Sequence, residues 1–152
     1  MIGLLQRVSS ATVTVEDETI ASIDQGLLVL VGVERHDGTA QATRLAERLL
    51  SYRVFEDSEG RMNHNVTQIE GGVLLVPQFT LVADTRKGNR PSFSAAADPI
   101  KGRRLFDNLF KQVQIRWKNV AAGWFGANMA VHLTNQGPVT FWLQIPPNTN
   151  SN

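Results

Sequence analysis

Few residues in this chain of 152 are of a type and spacing that can do chemistry. The three histidines (His36, His64 and His132) stand far apart without ligand spacing, and His132, on a predicted strand, reads as a surface or internally satisfied imidazole. Glu56, Asp57 and Glu59 crowd a turn and read as solvated carboxylates. The H-E-x-x-H, G-x-S-x-G, P-loop and G-x-G-x-x-G patterns are missing, so neither a metal nor a cofactor is expected. Cysteine is absent, which removes thiolate nucleophiles, thiolate zinc sites and disulfides together.

Two patterns remain. Pro77-Gln78-Phe79-Thr80-Leu81 closes an apolar run and leads into a polar loop, and Asn135-Gln136-Gly137-Pro138-Val139-Thr140 separates two strand-like runs. Proline cannot donate to a sheet ladder, so both belong at strand ends or edges. Each alone reads as turn punctuation, and for an isolated Gly-Pro the trans bond is the default. Thr80 is a hydroxyl without a histidine or lysine beside it in sequence to act as base. Charge adds a third feature. Residues 84–118 carry nine Lys/Arg against three Asp, a net +6, while the remainder carries −5. A segregated field of this sign suits a phosphate-rich partner as well as it suits a solvated basic helix.

The elements that must position these groups are legible from periodicity. Val13 and Val15 alternate with Thr12 and Thr14 as in a half-buried strand, and Leu27–Val33 is apolar on both faces, as in a central one. Ala42, Leu45, Ala46 and Leu49 fall at helical spacing. Tyr52–Phe55 and Val73–Val76 read as further strands, and Val82–Ala97 as loop. Asp98-Pro99 is a helix start, with Asp as N-cap and Pro in the first turn, and Leu105, Phe106, Leu109, Phe110 and Val113 line the face that follows. Met129–Thr134 and Val139–Ile145 read as a hairpin about the turn Asn135–Pro138. The expected class is α+β: a mostly antiparallel, strongly curved, barrel-like sheet with two helices. One domain is expected over residues 1–145, with 146–152 a flexible polar tail. The N-terminal residues lack a signal-peptide layout and the longest uncharged apolar run, Gly26–Val33, is too short to span a bilayer, so a soluble cytoplasmic protein without membrane contact is expected.

On these residues the sequence resembles the D-aminoacyl-tRNA deacylase family. The first pattern is similar to that family's signature, most often S-Q-F-T-L, and the second matches N-x-G-P-V-T. Gln6-Arg7-Val8 with Ala11, Val13 and Val15, Arg90-Pro91-Ser92-Phe93, and Phe125-Gly126-Ala127-Asn128-Met129 are also family-like, so the likeness runs from the first residues to about Gln144. It implies a deacylase-type fold, a homodimer with its active sites at the interface, and hydrolysis of the ester joining a D-amino acid to the terminal adenosine of tRNA. In the cell this would be proofreading of translation. It further implies a cis Gly137–Pro138 bond projecting into the partner's pocket as a chirality filter, with Arg7 and Met129 in the substrate-binding group and Gln78, Phe79 and Thr80 in the catalytic surroundings.

Such a filter has a physical rationale. Two backbone carbonyls presented side by side accept from one ammonium group, and glycine without a Cβ admits close approach. Inverting the substrate Cα then drives an L side chain into backbone, whereas D side chains point away. Glycine would pass, so activity on glycyl-tRNA is expected. Arg7 suits a brace for carbonyls, the alternative being a strand residue in a surface ion pair. Backbone N–H groups near Phe79 are expected to stabilise the oxyanion, with the ribose 2′-hydroxyl activating water; Thr80 as nucleophile is the competing reading. Arg86, Lys87 and Arg90 are expected to contact tRNA phosphates, with no role in DNA binding. Pro77 departs from the usual Ser, so no role of that hydroxyl carries over. A branch editing L-alanyl-tRNA also begins this motif with Pro but reads P-Q-A-T-L. That branch, a non-catalytic tRNA-binding module, and a small-ester or lactone hydrolase are the rivals.

Overall fold

Residues 1–147 are described by a computed structural model. In chain order it comprises β1 (Ile2–Val15), β2 (Glu18–Ile23), β3 (Gly26–Gly32), α1 (Thr39–Ser51), β4 (Phe55–Glu56), β5 (Met62–His64), β6 (Gly72–Pro77), a 3-10 turn (Phe79–Val82), α2 (Pro99–Arg116), β7 (Val120–Ala122) and β8 (Ala130–Gln144). The expected flexible tail, 146–152, lies outside the described residues from 148 onward.

Every central strand must bury both of its faces, and the sequence of β3 and β6 lets it. Leu27, Val29 and Val31 face a core completed by α1 and α2, while Leu28 faces a second core with Leu74 and Val76. The sheet order is β2-β1-β3-β6-β7, with β8 on the other edge of β1. Its β1 pairings are antiparallel, but β3–β6 and β6–β7 are parallel, so the sheet is mixed. The curved sheet and the two helices stand as expected; the parallel portion follows from α1 and α2 acting as crossovers. Where β3 meets β6, a Cβ on Gly26 would fall 1.9 Å from the Gly72 carbonyl oxygen, so the strands close here only with glycine.

Two helix boundaries follow their sequence signals. The Asp98 carboxylate accepts from the Lys101 N–H at 3.0 Å, with Pro99 in the first turn. The α1 stripe Ala42, Leu45, Ala46 and Leu49 is fully buried. The Met1 ammonium is buried against Asp37 (2.6 Å), Glu34 (2.9 Å) and the Ile145 carbonyl (2.8 Å). This cluster joins the start of β1, the β3–α1 loop and the end of β8. Burial raises the Asp37 carboxyl above its ordinary range, against the opposing pull of the ammonium.

The expected hairpin at Asn135–Pro138 is not formed. Residues on both sides of it belong to one strand, β8, which runs antiparallel to β1 along its whole length. The register jumps from Gln6↔Thr140 to Val8↔Asn135, so Arg7 stands opposite four residues, Gln136–Val139, that leave the ladder. A bulge bends its strand. Here it lets β1 place Leu5 in the helix-covered core and Val8, Ala11 and Val13 in the second, while Val139 and Val131 of β8 divide the same way.

Candidate functional site

β6 ends at Pro77, where the missing N–H is no loss to the ladder. The next residue is tied back, Gln78 donating its N–H to Val31 at 2.8 Å, and the chain then tightens into the 3-10 turn. The first N–H groups of such a turn have no internal acceptor. Those of Phe79 and Thr80 have none among the described residues. Gln78 and Phe79 line a cleft of about 460 Å³ together with Pro77, Phe125, Asn128 and Met129. Its walls are mainly apolar, and none of the three histidines lines it. Thr80 is exposed beside this cleft but does not line it, and its hydroxyl is hydrogen-bonded to the Gln78 side-chain amide. That amide is a donor and cannot serve as a base.

The second signature is built differently. Its Gly137–Pro138 bond is cis, and both residues are exposed on the excursion. Asn135 closes the neck with its side chain: Oδ1 accepts from the Val139 N–H at 2.7 Å, and Nδ2 donates to the Thr140 hydroxyl at 2.8 Å. Arg7, with 11% of its side chain exposed, donates through Nε to the Gln136 carbonyl (2.9 Å) and through Nη1 to the Val54 carbonyl (2.8 Å). Its Glu56 neighbour is 4.0 Å away, at the limit of an ion pair. Gly137 has φ +138°, and a Cβ there would sit 2.7 Å from Val139 Cγ2 and 3.0 Å from Arg7 Nη2. Glycine is therefore required by the backbone and by its brace together.

Within one chain these groups divide into two sets. Gln78, Phe79 and Met129 share the first cleft, whereas Arg7 and Gly137 line a separate cavity of about 390 Å³ with Gln25, Phe55, Glu56 and Gln136. Met129 thus sits with the first signature, away from Gly137. Arg86, Lys87 and Arg90 lie on the exposed loop between the 3-10 turn and α2. Arg86 is bidentate to Asp84 (2.8 and 2.6 Å), and its side chain and N–H hold the Asp84 carboxyl far below the usual range. Lys87 and Arg90 have no hydrogen-bonded or ionic partner among the described residues. Sequence reasoning assigned no work to Asn135 and Thr140, although their five-residue spacing around Gly-Pro is the signal for the neck they close.

Residues 4–144 match the family model described as D-Tyr-tRNA(Tyr) deacylase. A D-aminoacyl-tRNA deacylase of Nitrosococcus oceani is 61% identical over 147 residues, covering 97% of this chain and 95% of that one. One from Thioalkalivibrio sulfidiphilus is 58% identical and covers 97% and 99%. Among solved structures, the c-Myc DNA Unwinding Element Binding Protein superposes with a TM-score of 0.92 at 34% identity, covering 96% and 99%. A probable eukaryotic D-amino acid tRNA deacylase shares the fold, with a TM-score of 0.82 at 18% identity over 95% and 98% of the two chains. The chain belongs to the D-aminoacyl-tRNA deacylase family, and it is as a hydrolase of that class that the two sets of residues have to be understood.

Proposed function

We propose that the protein is a chiral proofreading deacylase, cleaving D-aminoacyl-tRNA and sparing the L form, with each site assembled from two copies of the chain. The observation that carries this reading is the division just described: a cleft without a stereochemical gate, and a braced, exposed Gly137–Pro138 projection outside it. A second copy supplies each with its complement. In support, β8 has a strand neighbour on one edge only among the described residues, and its exposed face carries Leu133 and Trp142, the latter 51% exposed. A long free edge with apolar side chains favours association.

In the assembled site the carbonyls of Gly137 and Pro138 accept from the substrate ammonium group, and the ester lies against the turn at Phe79. The free N–H groups of Phe79 and Thr80 meet the developing oxyanion, an interaction typically worth about 10²–10³ in rate per donor. An aminoacyl ester is already activated, so water assisted by the ribose 2′-hydroxyl suffices. The pairing of Thr80 with an amide supports this over a hydroxyl nucleophile. Steric rejection acts at the substrate Cα, so side-chain tolerance is broad and glycyl-tRNA is cleaved. Lys87 and Arg90 contact acceptor-stem phosphates in the cytoplasm, and no described helix is long and apolar enough to cross a membrane. Arg86 contributes less, being held by Asp84.

Rates on D-tyrosyl-tRNA, L-tyrosyl-tRNA and a simple D-tyrosine ester test the reading. Rapid turnover of the first alone is expected. Binding without turnover would replace it with a tRNA-binding module, and comparable turnover of the simple ester with a general esterase.

A further inference from the structure

A second cleft, of about 420 Å³, adjoins the first and is lined by Arg35, Phe79, Phe93, Ala96, Asp98 and Pro99. Phe79, Ala97 and Pro99 line both clefts, so the two are neighbours. Phe93 lines only the second. The phenylalanines are 59% and 38% exposed, with ring centroids 5.0 Å apart and planes inclined at 54°. Two large apolar rings left open side by side, Phe79 on the 3-10 turn and Phe93 in the polar loop after it, are unusual, and the loop ring is held in place. Asp84 and Ser92 exchange backbone hydrogen bonds (2.7 and 3.1 Å) on one side of Phe93, and Ala96 donates to its carbonyl at 3.0 Å on the other.

A cation with a free side chain borders this platform. The Arg35 side chain is exposed and has no partner among the described residues, while its N–H is fixed to the Ala95 carbonyl at 2.8 Å. Asp98, the only acid in the lining, is occupied as the cap of α2. An aromatic face beside a free guanidinium, one step from a cleft for an esterified nucleoside, has the chemistry of single-strand RNA recognition: a base stacks and the linking phosphate meets the cation.

We propose that this second cleft seats the nucleotide preceding the esterified one, its base stacked on Phe93 and its phosphodiester against Arg35. The assignment rests on the deacylase reading above. It accounts for the family-like run Arg90-Pro91-Ser92-Phe93, to which the catalytic site gives no function. It also makes the enzyme read the single-stranded end of its substrate through stacking, which is tolerant of base identity.

The test compares D-tyrosyl esters of adenosine and of the cytidylyl-adenosine dinucleotide. The dinucleotide ester is expected to be about tenfold better in kcat/KM, through KM, as one stacked base provides. Phe93→Ala should erase that advantage, Phe93→Trp should retain it, and Arg35→Gln should reduce it and its salt dependence together. An unchanged dinucleotide preference in Phe93→Ala would overturn the proposal, as would an equal loss on both esters that Phe93→Trp fails to rescue. Failure of the unaltered protein to cleave D-tyrosyl-tRNA would instead overturn the deacylase reading on which this one rests; cleavage of that tRNA with equal rates on the two esters would overturn this proposal alone.

Discussion

The two signature segments solve opposite problems. Pro77–Leu81 runs along a cleft, its course set by β6 and by the backbone hydrogen bond from Gln78 to Val31, and Pro77, Gln78 and Phe79 form part of the concave wall. Asn135–Thr140 turns outward from an unpaired edge and is stiffened from behind by Arg7 and across its neck by Asn135. A wall can be rigid because the sheet beneath it is rigid. A projection has no such support and needs dedicated braces, which is why a nearly buried arginine ties the Gln136 carbonyl of β8 to the Val54 carbonyl just before β4. The difference teaches that the two segments are stabilised independently, and so can be disabled independently.

The largest effect should come from the projection. Gly137→Ala places a methyl group against Val139 and the Arg7 brace, and displacement of the carbonyls by ~1 Å should lower kcat/KM for D-tyrosyl-tRNA about 100-fold. The thermal midpoint should fall as well, because the new methyl group meets Val139 of the helix-covered core, so the rate is compared at a temperature where both proteins are folded. Next, Arg7→Lys keeps the charge but loses the forked donors that hold Gln136 and Val54 at once. A drop of about tenfold is expected, measured in the same assay.

Two smaller effects sharpen the contrast between the wall and its surroundings. Replacing both Lys87 and Arg90 by alanine should flatten the dependence of tRNA affinity on salt by about 2 in the log–log slope. Arg86→Ala should change it by less than about 1, since Asp84 already engages that guanidinium. Smallest of all, Thr80→Ala should cost less than about tenfold, far from the roughly 10⁶-fold loss that follows removal of a covalent nucleophile.

Much of this arrangement was legible before any coordinates. The α2 start, with Asp98 capping and Pro99 in the first turn, and the buried stripe of α1 are local encodings, and local sequence suffices to read them. The two signatures were equally visible as segments. What local sequence could not convey was the direction of the chain after Pro138. Asn-x-Gly-Pro has hairpin chemistry, yet β8 continues forward because its partner is β1, more than a hundred residues earlier, and the turn becomes a four-residue excursion. The parallel pairing of β3, β6 and β7 is long-range in the same sense, and the three residues of β7 are too few for a period to show. For the site, residue type pointed to Arg7 as a brace, but its second partner, the Val54 carbonyl, comes from Tyr52–Phe55, a run that reads as a strand although only Phe55 of it lies in one, β4. The separation of Met129 from Gly137 was likewise invisible, since it depends on which side of the bend each falls.

The central claim, that the wall of one copy works with the projection of another, is tested most directly by subunit complementation. Gly137→Ala disables the projection, and Ala127→Trp fills the cleft. Each variant alone should be inactive on D-tyrosyl-tRNA. Mixed and allowed to exchange, they should form heterodimers with one intact composite site, restoring about half the wild-type rate per heterodimer while L-tyrosyl-tRNA stays uncleaved. No recovery in demonstrated heterodimers would contradict the account and place both functions within a single chain.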